Sequence, residues 1–136
     1  MALEATQVTR PRGPSRAYLV GDYAAGAATA LAAALPIHAL VDTGWDIVLA
    51  MLVGVGIGTL AHLAVLAVAG PLVGFFQVMA PGGVIGMYGG MLFGMRDSMQ
   101  AASWPQTVAV AVLFGLVVVA CLDLYDRALR RSQEAG

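Results

Sequence analysis

Charged residues are scarce in this chain of 136 residues. They make up 11% of it, against about 25% in a typical soluble domain, whereas 60% of the residues are hydrophobic. Because no water-soluble fold can hide so much apolar surface, this composition excludes a soluble globular protein and predicts an integral membrane protein. The lipid bilayer is therefore the first expected partner.

Lysine is absent, and cysteine occurs once, as Cys121. A lone cysteine excludes a disulfide within the chain and a paired-thiol metal site. The seven positive residues are all arginine and the net charge is −1, so we expect no nucleic-acid binding. Arginine without lysine, together with abundant Ala, Gly and Val, favours a bacterial protein of the cytoplasmic (inner) membrane.

Familiar catalytic signatures are also missing from the sequence. It contains no Gly-x-Ser-x-Gly, His-Glu-x-x-His, phosphate-loop or dinucleotide-binding pattern. We therefore expect that the protein is not an enzyme.

Long apolar runs divide the chain into four predicted membrane spans, since about 20 apolar residues cross a bilayer. The long run 47–95 divides at Gly70-Pro71, because glycine ends helices and proline begins them, and Ser103 begins the last span. The sequence thus predicts an all-α, four-helix transmembrane bundle, with polar tails at 1–16 and 127–136. The single domain covers 17–126, and its spans are 17–41, 47–69, 72–95 and 104–125.

The distribution of arginine predicts which side of the membrane holds the chain ends. Six arginines flank the first and last spans, and the loop between the first two spans has none: Arg10, Arg12, Arg16, Arg127, Arg130 and Arg131. Both termini are therefore expected in the cytoplasm, with Arg96 as the exception. A rival interpretation takes 10–34 as a cleaved signal peptide, but Asp22 and the length of the apolar region favour a span.

Glycine recurs at every fourth residue on two of the predicted spans. The two faces are Gly54 and Gly58 on the second span, and Gly86, Gly90 and Gly94 on the third. In lipid, helices associate largely through close contact of such small-residue faces, so we predict tight helix–helix seams. The seams can lie within one chain or between chains, and we expect a homo-oligomer or a subunit of a membrane complex.

The sequence Pro81-Gly82-Gly83 lies in the middle of the third span. Proline donates no hydrogen bond and its ring clashes with the preceding turn, so we predict that the third helix is broken there. His62 and Gln77 are deep polar side chains at a similar depth, about 12 Å inside the cytoplasmic face. A pocket of His62, Gln77, Pro81, Gly82 and Gly83 is the first candidate site. The alternative is a simple kink, with His62 bonded to the freed carbonyl of Gln77.

Methionine recurs at every fourth residue beside the glycine face of the third span. The stripe is Met87, Met91, Met95 and Met99. Soft thioethers favour Cu(I) over hard cations, and His38 and Asp42, one turn apart, can collect a cation on the far side. A metal path would then run from His38 and Asp42 along the stripe to His62. The alternative role of the methionines is flexible filling of a packed interior.

The Met-x-x-x-Met and Gly-x-x-x-Gly patterns of 86–99 resemble one element of the Ctr-type copper transporters. The resemblance implies a copper ion as cargo, with Met87 and Met91 as ligands. The chain differs in having four predicted spans rather than three, no Met-rich extracellular tail, and both patterns on one helix. Three functions are kept: a channel or transporter-like protein for a soft metal ion, a non-catalytic assembly subunit, and a proton or small-solute pathway through His62.

Overall fold

The structure, a computed structural model, describes residues 16–134 apart from the side chains of Val73 and Gln77. Over this range it is helical, and the predicted tail at 1–16 lies outside the described residues except for Arg16. The helices are α1 (Arg16–Leu40), α2 (Ile47–Val73), α3 (Phe75–Val84), α4 (Gly90–Met99) and α5 (Trp104–Glu134). A π turn over Ile85–Gly89 joins α3 to α4, so 75–99 forms one continuous third rod.

Four rods within the described residues are long and apolar enough to cross a membrane, as the sequence predicts. The last one continues well past the predicted end of the span at 125, because α5 extends to Glu134. Its final turns are held by ion pairs one helical turn apart, of which Arg130–Asp126 at 2.8 Å is one. The predicted tail at 127–136 is therefore largely a continuation of α5.

Side-chain caps determine where two of the helices begin. The carboxylate of Asp46 accepts hydrogen bonds from the N–H groups of Val48 (3.0 Å) and Leu49 (3.1 Å), and α2 starts at the residue after Asp46. At the start of α5, the N–H of Ser103 donates to the side-chain oxygen of Gln106 at 3.2 Å, which is one half of a capping box. The last rod therefore starts where the sequence predicts.

The chain reverses between the second and third rods at Gly74, not at Gly70-Pro71. Helix α2 continues through Pro71, and the N–H of Gly74 donates to the carbonyl of Gly70 at 2.9 Å. Gly74 has φ 112° and ψ 130°, a conformation that residues with a side chain rarely adopt. The predicted position was wrong because Pro71 removes one hydrogen bond without ending α2, whereas a reversal this short needs the positive φ of Gly74.

The third rod stays helical through Pro81-Gly82-Gly83, so the predicted break is not at these residues. The departure from α geometry follows instead as the π turn of Ile85–Gly89. The missing N–H of Pro81 removes a single hydrogen bond, which is not enough to end the helix in this structure. The rod is thus distorted locally and is not divided into half-helices.

The two glycine faces pack against each other inside the chain. A Cβ added at Gly58 would overlap the backbone carbonyl of Gly86, and one added at Gly90 would overlap that of Gly54. Helix α2 and the third rod are therefore antiparallel and in backbone contact, which is possible only with glycine at these positions. Gly94 extends the same seam to the backbone of Ala50.

A second seam joins α1 to α5. A Cβ added at Gly115 would lie 2.6 Å from the carbonyl oxygen of Gly26. Because α1 and α5 pack antiparallel, Arg16 and Glu134 lie at the same end of the bundle, which we call the terminal end. The opposite end carries the connections 41–46 and 100–103 and is called the loop end.

Candidate functional site

His62 lies in the contact between α2 and the third rod, near the middle of the bundle. Its side chain is 8% exposed, and Nδ1 has no hydrogen-bond partner among the described residues. It is twelve residues from Gly74, about 18 Å at 1.5 Å per residue. His62 is therefore deeper than the sequence predicts, because α2 runs one turn past Gly70. The alternative of a bond from His62 to the freed carbonyl of Gln77 stays a prediction.

Gly82 makes room for the imidazole of His62. A Cβ added at Gly82 would overlap the ring, whereas one added at the neighbouring Gly83 would meet nothing within 4 Å. One turn further, a Cβ at Gly86 would lie 2.8 Å from the Cβ of His62. Gly82, which follows Pro81, thus lies tightly against the ring of His62. These residues do not form an open pocket at a helix break.

A cavity of about 400 Å³ lies at the terminal end, between α1, α3 and α5. Its lining extends inwards to Pro81, the residue before the glycine that covers His62. His62 itself does not line this cavity, and Gly82 lies between Pro81 and the imidazole in the order of contacts. The polar and aromatic lining residues used below are Asp22, Tyr23, Phe76, Asp123, Asp126 and Arg130.

Asp22 is the carboxyl group of the terminal-end cavity that has no ion-pair partner among the described residues. Its Oδ1 atom is buried and has no hydrogen-bond partner among the described residues. By contrast, Asp123 pairs with Arg127 at 2.6 Å, and Asp126 pairs with Arg130 at 2.8 Å. Among these five residues, Asp22 is therefore the one carboxyl group without a guanidinium partner.

The loop end holds a buried polar network centred on Asp97. This residue is 3% exposed, and its two oxygens lie 3.0 Å from His38 Nδ1 and 3.5 Å from an Arg96 nitrogen. Arg96 also donates to the hydroxyl of Thr107 at 3.3 Å, and the ring of Trp104 stands edge-on to His38. Arg96, the exception in the arginine distribution, is thus held inside the protein at the end of the third rod.

His38 and Asp42, predicted to collect a cation, line a second cavity of about 260 Å³ together with Asp97. Within residues 16–134, however, no group of three or more His, Cys, Asp or Glu side chains is arranged to hold a metal ion. His38 instead forms its contact with the carboxylate of Asp97. The observed geometry is that of an ion-pair network, because the carboxylate is shared by an imidazole and a guanidinium.

The methionine stripe lies beside the glycine seam and not inside the bundle. Met87 is 53% exposed and Met99 is 68% exposed, while Met91 and Met95 are half-buried. Met87, Met91 and Met95 each follow a glycine of the seam by one position, which places them about 100° around the helix from that seam. The stripe therefore faces outwards, and it does not lead through the described chain to His62.

Two functional candidates emerge from contacts that the sequence does not reveal. Asp22 has no acidic or basic neighbour within three residues, and only the packing of α1 on α5 brings it to Asp123. Asp97 is likewise joined to His38 across 59 positions of sequence. The only sequence signal for either is an acidic residue within or beside an apolar run. The side chain of Gln77, predicted in the pocket, lies outside those described.

Comparison with protein-family models, curated proteins and solved structures finds no match to this chain. A functional assignment therefore depends on the positions and the chemistry of the residues described above.

Proposed function

We propose that this chain forms a pathway for protons or a small solute in the membrane, with His62 at its centre. The supporting observation is the buried imidazole whose Nδ1 has no hydrogen-bond partner among the described residues. Leaving such a group unpaired costs about 1–3 kcal/mol. Ionisable side chains inside membrane spans are kept chiefly where they have a function, so the unpaired ring favours one here.

The chemistry of imidazole suits the transfer of protons. One ring nitrogen accepts a proton while the other donates one, and both steps occur near neutral pH. The terminal-end cavity is lined by carboxyl groups and by Pro81, which precedes Gly82 in the third rod, and Gly82 contacts His62. At the loop end, the His38–Asp97 pair supplies further ionisable groups. Groups that exchange protons thus occur near both ends and at mid-depth of an otherwise apolar bundle.

The π turn supplies a place at which the third rod can repack. Such widened turns are uncommon and occur frequently at functional sites. Here it begins three residues after Gly82, on the same rod that covers the ring of His62. A change in this turn would move the backbone that separates His62 from the cavity.

We propose that the protein lies in a bacterial cytoplasmic membrane with both termini in the cytoplasm. Four spans place the two ends on the same side, and six of the seven arginines lie near those ends. The terminal-end cavity would then open towards the cytoplasm, and the Asp97 network would lie near the far face.

The two other functions are less well supported. A Cu(I) path along Met87 and Met91 would need sulfur or nitrogen ligands from a further molecule, because the stripe faces away from the described bundle. An assembly subunit was inferred from glycine faces available for docking, but Gly54, Gly58 and Gly90 are covered inside the chain. Both stay proposals.

Proton flux into proteoliposomes tests the pathway. Vesicles loaded with a pH-sensitive dye are given a potassium gradient and valinomycin, and the rate of acidification is compared with that of protein-free vesicles. His62→Ala should lower the protein-dependent rate by at least about tenfold, as expected for loss of a proton-transfer group. If the parent is no faster than empty vesicles, or if His62→Ala is as fast as the parent, the proton pathway is refuted.

Two neighbouring glycines provide a matched control for this experiment. Gly82→Ala would displace the imidazole, whereas Gly83→Ala meets nothing within 4 Å, and both raise helix propensity equally. We expect reduced flux in Gly82→Ala and normal flux in Gly83→Ala. Circular dichroism and gel filtration of each variant show whether a loss of flux reflects unfolding.

A further inference from the structure

The terminal-end cavity has the properties of a site for an organic ammonium ion, and we propose that it binds one with Asp22 as its counter-ion. Within the described residues, Asp22 Oδ1 is buried without a hydrogen-bond partner, and Asp22 is the one carboxyl group of the cavity lining that pairs with no guanidinium group. A buried carboxylate is stable only when a positive group or a proton compensates it. One singly charged cation in the cavity meets this need.

The size and walls of the cavity favour an organic cation over a bare metal ion. A volume of about 400 Å³ is in the range of small-molecule sites. Tyr23 lines the cavity and Phe76, which is 89% exposed, lies at its edge, and aromatic faces attract ammonium groups. A hard metal ion needs several oxygen ligands, whereas Asp123 and Asp126 are each already paired with an arginine. Asp22 alone suits a monovalent ammonium.

The ammonium group can come from a free amine or from the headgroup of a lipid such as phosphatidylethanolamine. Both present a cation beside an apolar portion, which matches a wall that also contains Leu19, Val119 and Leu122. An organic ammonium ion would be the small solute of the proposed pathway. Its movement across the membrane rests on the proposed function, whereas its binding in the cavity does not. Binding is therefore measured without transport.

Calorimetry of the purified full chain in detergent, with benzylammonium as the probe and benzyl alcohol as its uncharged counterpart, tests the site. The parent should bind benzylammonium and not benzyl alcohol. Asp22→Asn keeps the size of the side chain and removes its charge, and we expect at least about tenfold weaker binding. Asp46→Asn at the loop end is the control, because asparagine also caps α2 and the terminal-end cavity is untouched.

Three outcomes would overturn the proposal: no binding of benzylammonium to the parent, equal binding to Asp22→Asn, or equal binding of benzyl alcohol. Arg10 and Arg12 precede α1 in the sequence, so a variant with both changed to glutamine is included. If only this variant binds the probe, the chain's own arginines fill the cavity and the proposal fails.

One further measurement distinguishes a lipid headgroup from a free amine as the source of the ion. Comparison of probe binding with proton flux distinguishes the ammonium site from the proton pathway. Competition by phosphatidylethanolamine, with phosphatidylglycerol as the control, indicates a lipid headgroup, and its absence indicates a free amine; either supports an ammonium site. Benzylammonium binding without proton flux would refute the proton pathway and leave the ammonium site supported. Proton flux without binding would refute the ammonium site alone.

Discussion

Replacement of Gly90 by alanine should weaken the contact between α2 and the third rod. A Cβ at this position would lie 2.9 Å from the carbonyl carbon of Gly54 and 3.2 Å from the Cα of Gly58, and it would overlap the carbonyl oxygen of Gly54. All three are backbone atoms. No change of side-chain rotamer can relieve the overlap, so the two helices must move apart.

The size of the effect follows from two opposing contributions. Overpacking of this kind costs about 1–3 kcal/mol. The higher helix propensity of alanine offsets roughly 0.5–1 kcal/mol of that cost. We therefore expect Gly90→Ala to lower the free energy of unfolding by about 1–2 kcal/mol.

Gly56 provides the control for this substitution. It lies on α2 between Gly54 and Gly58, and a Cβ there would meet nothing within 4 Å. Gly56→Ala should therefore leave the free energy of unfolding unchanged or raise it by up to about 1 kcal/mol. Unfolding in mixed micelles of dodecylphosphocholine and sodium dodecyl sulfate, followed by circular dichroism, measures both variants. Equal stability of Gly90→Ala and Gly56→Ala would show that the helices are not in backbone contact.

Two further predictions concern the loop end and the methionine stripe. Asp97→Ala should lower the free energy of unfolding in the same assay by about 3 kcal/mol because it removes a buried ion-pair partner, whereas Asp126→Ala breaks an exposed pair and should cost under about 1 kcal/mol. Similar losses in the two variants would contradict the buried network. Met87→Leu with Met91→Leu should stay within about 1.5 kcal/mol of the parent in the same assay. If the stripe carries Cu(I), competition with a chromophoric chelator will show lost Cu(I) affinity, and unchanged affinity removes the copper hypothesis.

The helix type and the number of spans could be predicted because they depend on local composition. An apolar run of sufficient length must form a helix in lipid, where each backbone N–H and C=O needs a partner within its own segment. The start at Ser103 is equally local, since the capping residues are neighbours in sequence. The exact place of the reversal was missed because a single glycine, at 70 or at 74, can end a helix equally well. Only the backbone angles of the structure distinguish the two positions.

The sequence by itself therefore determined an all-α chain with four apolar spans and the periodic faces of glycine and methionine on them. The tertiary structure decided what each face meets: Gly54 and Gly58 meet the third rod, Gly82 meets His62, and the methionines face outwards. It also brought Asp22 and Asp123 to one cavity and joined His38 to Asp97. Periodicity shows which residues share a face, but any two small-residue faces can pack, and only the packing of all the helices together selects the pairs that form.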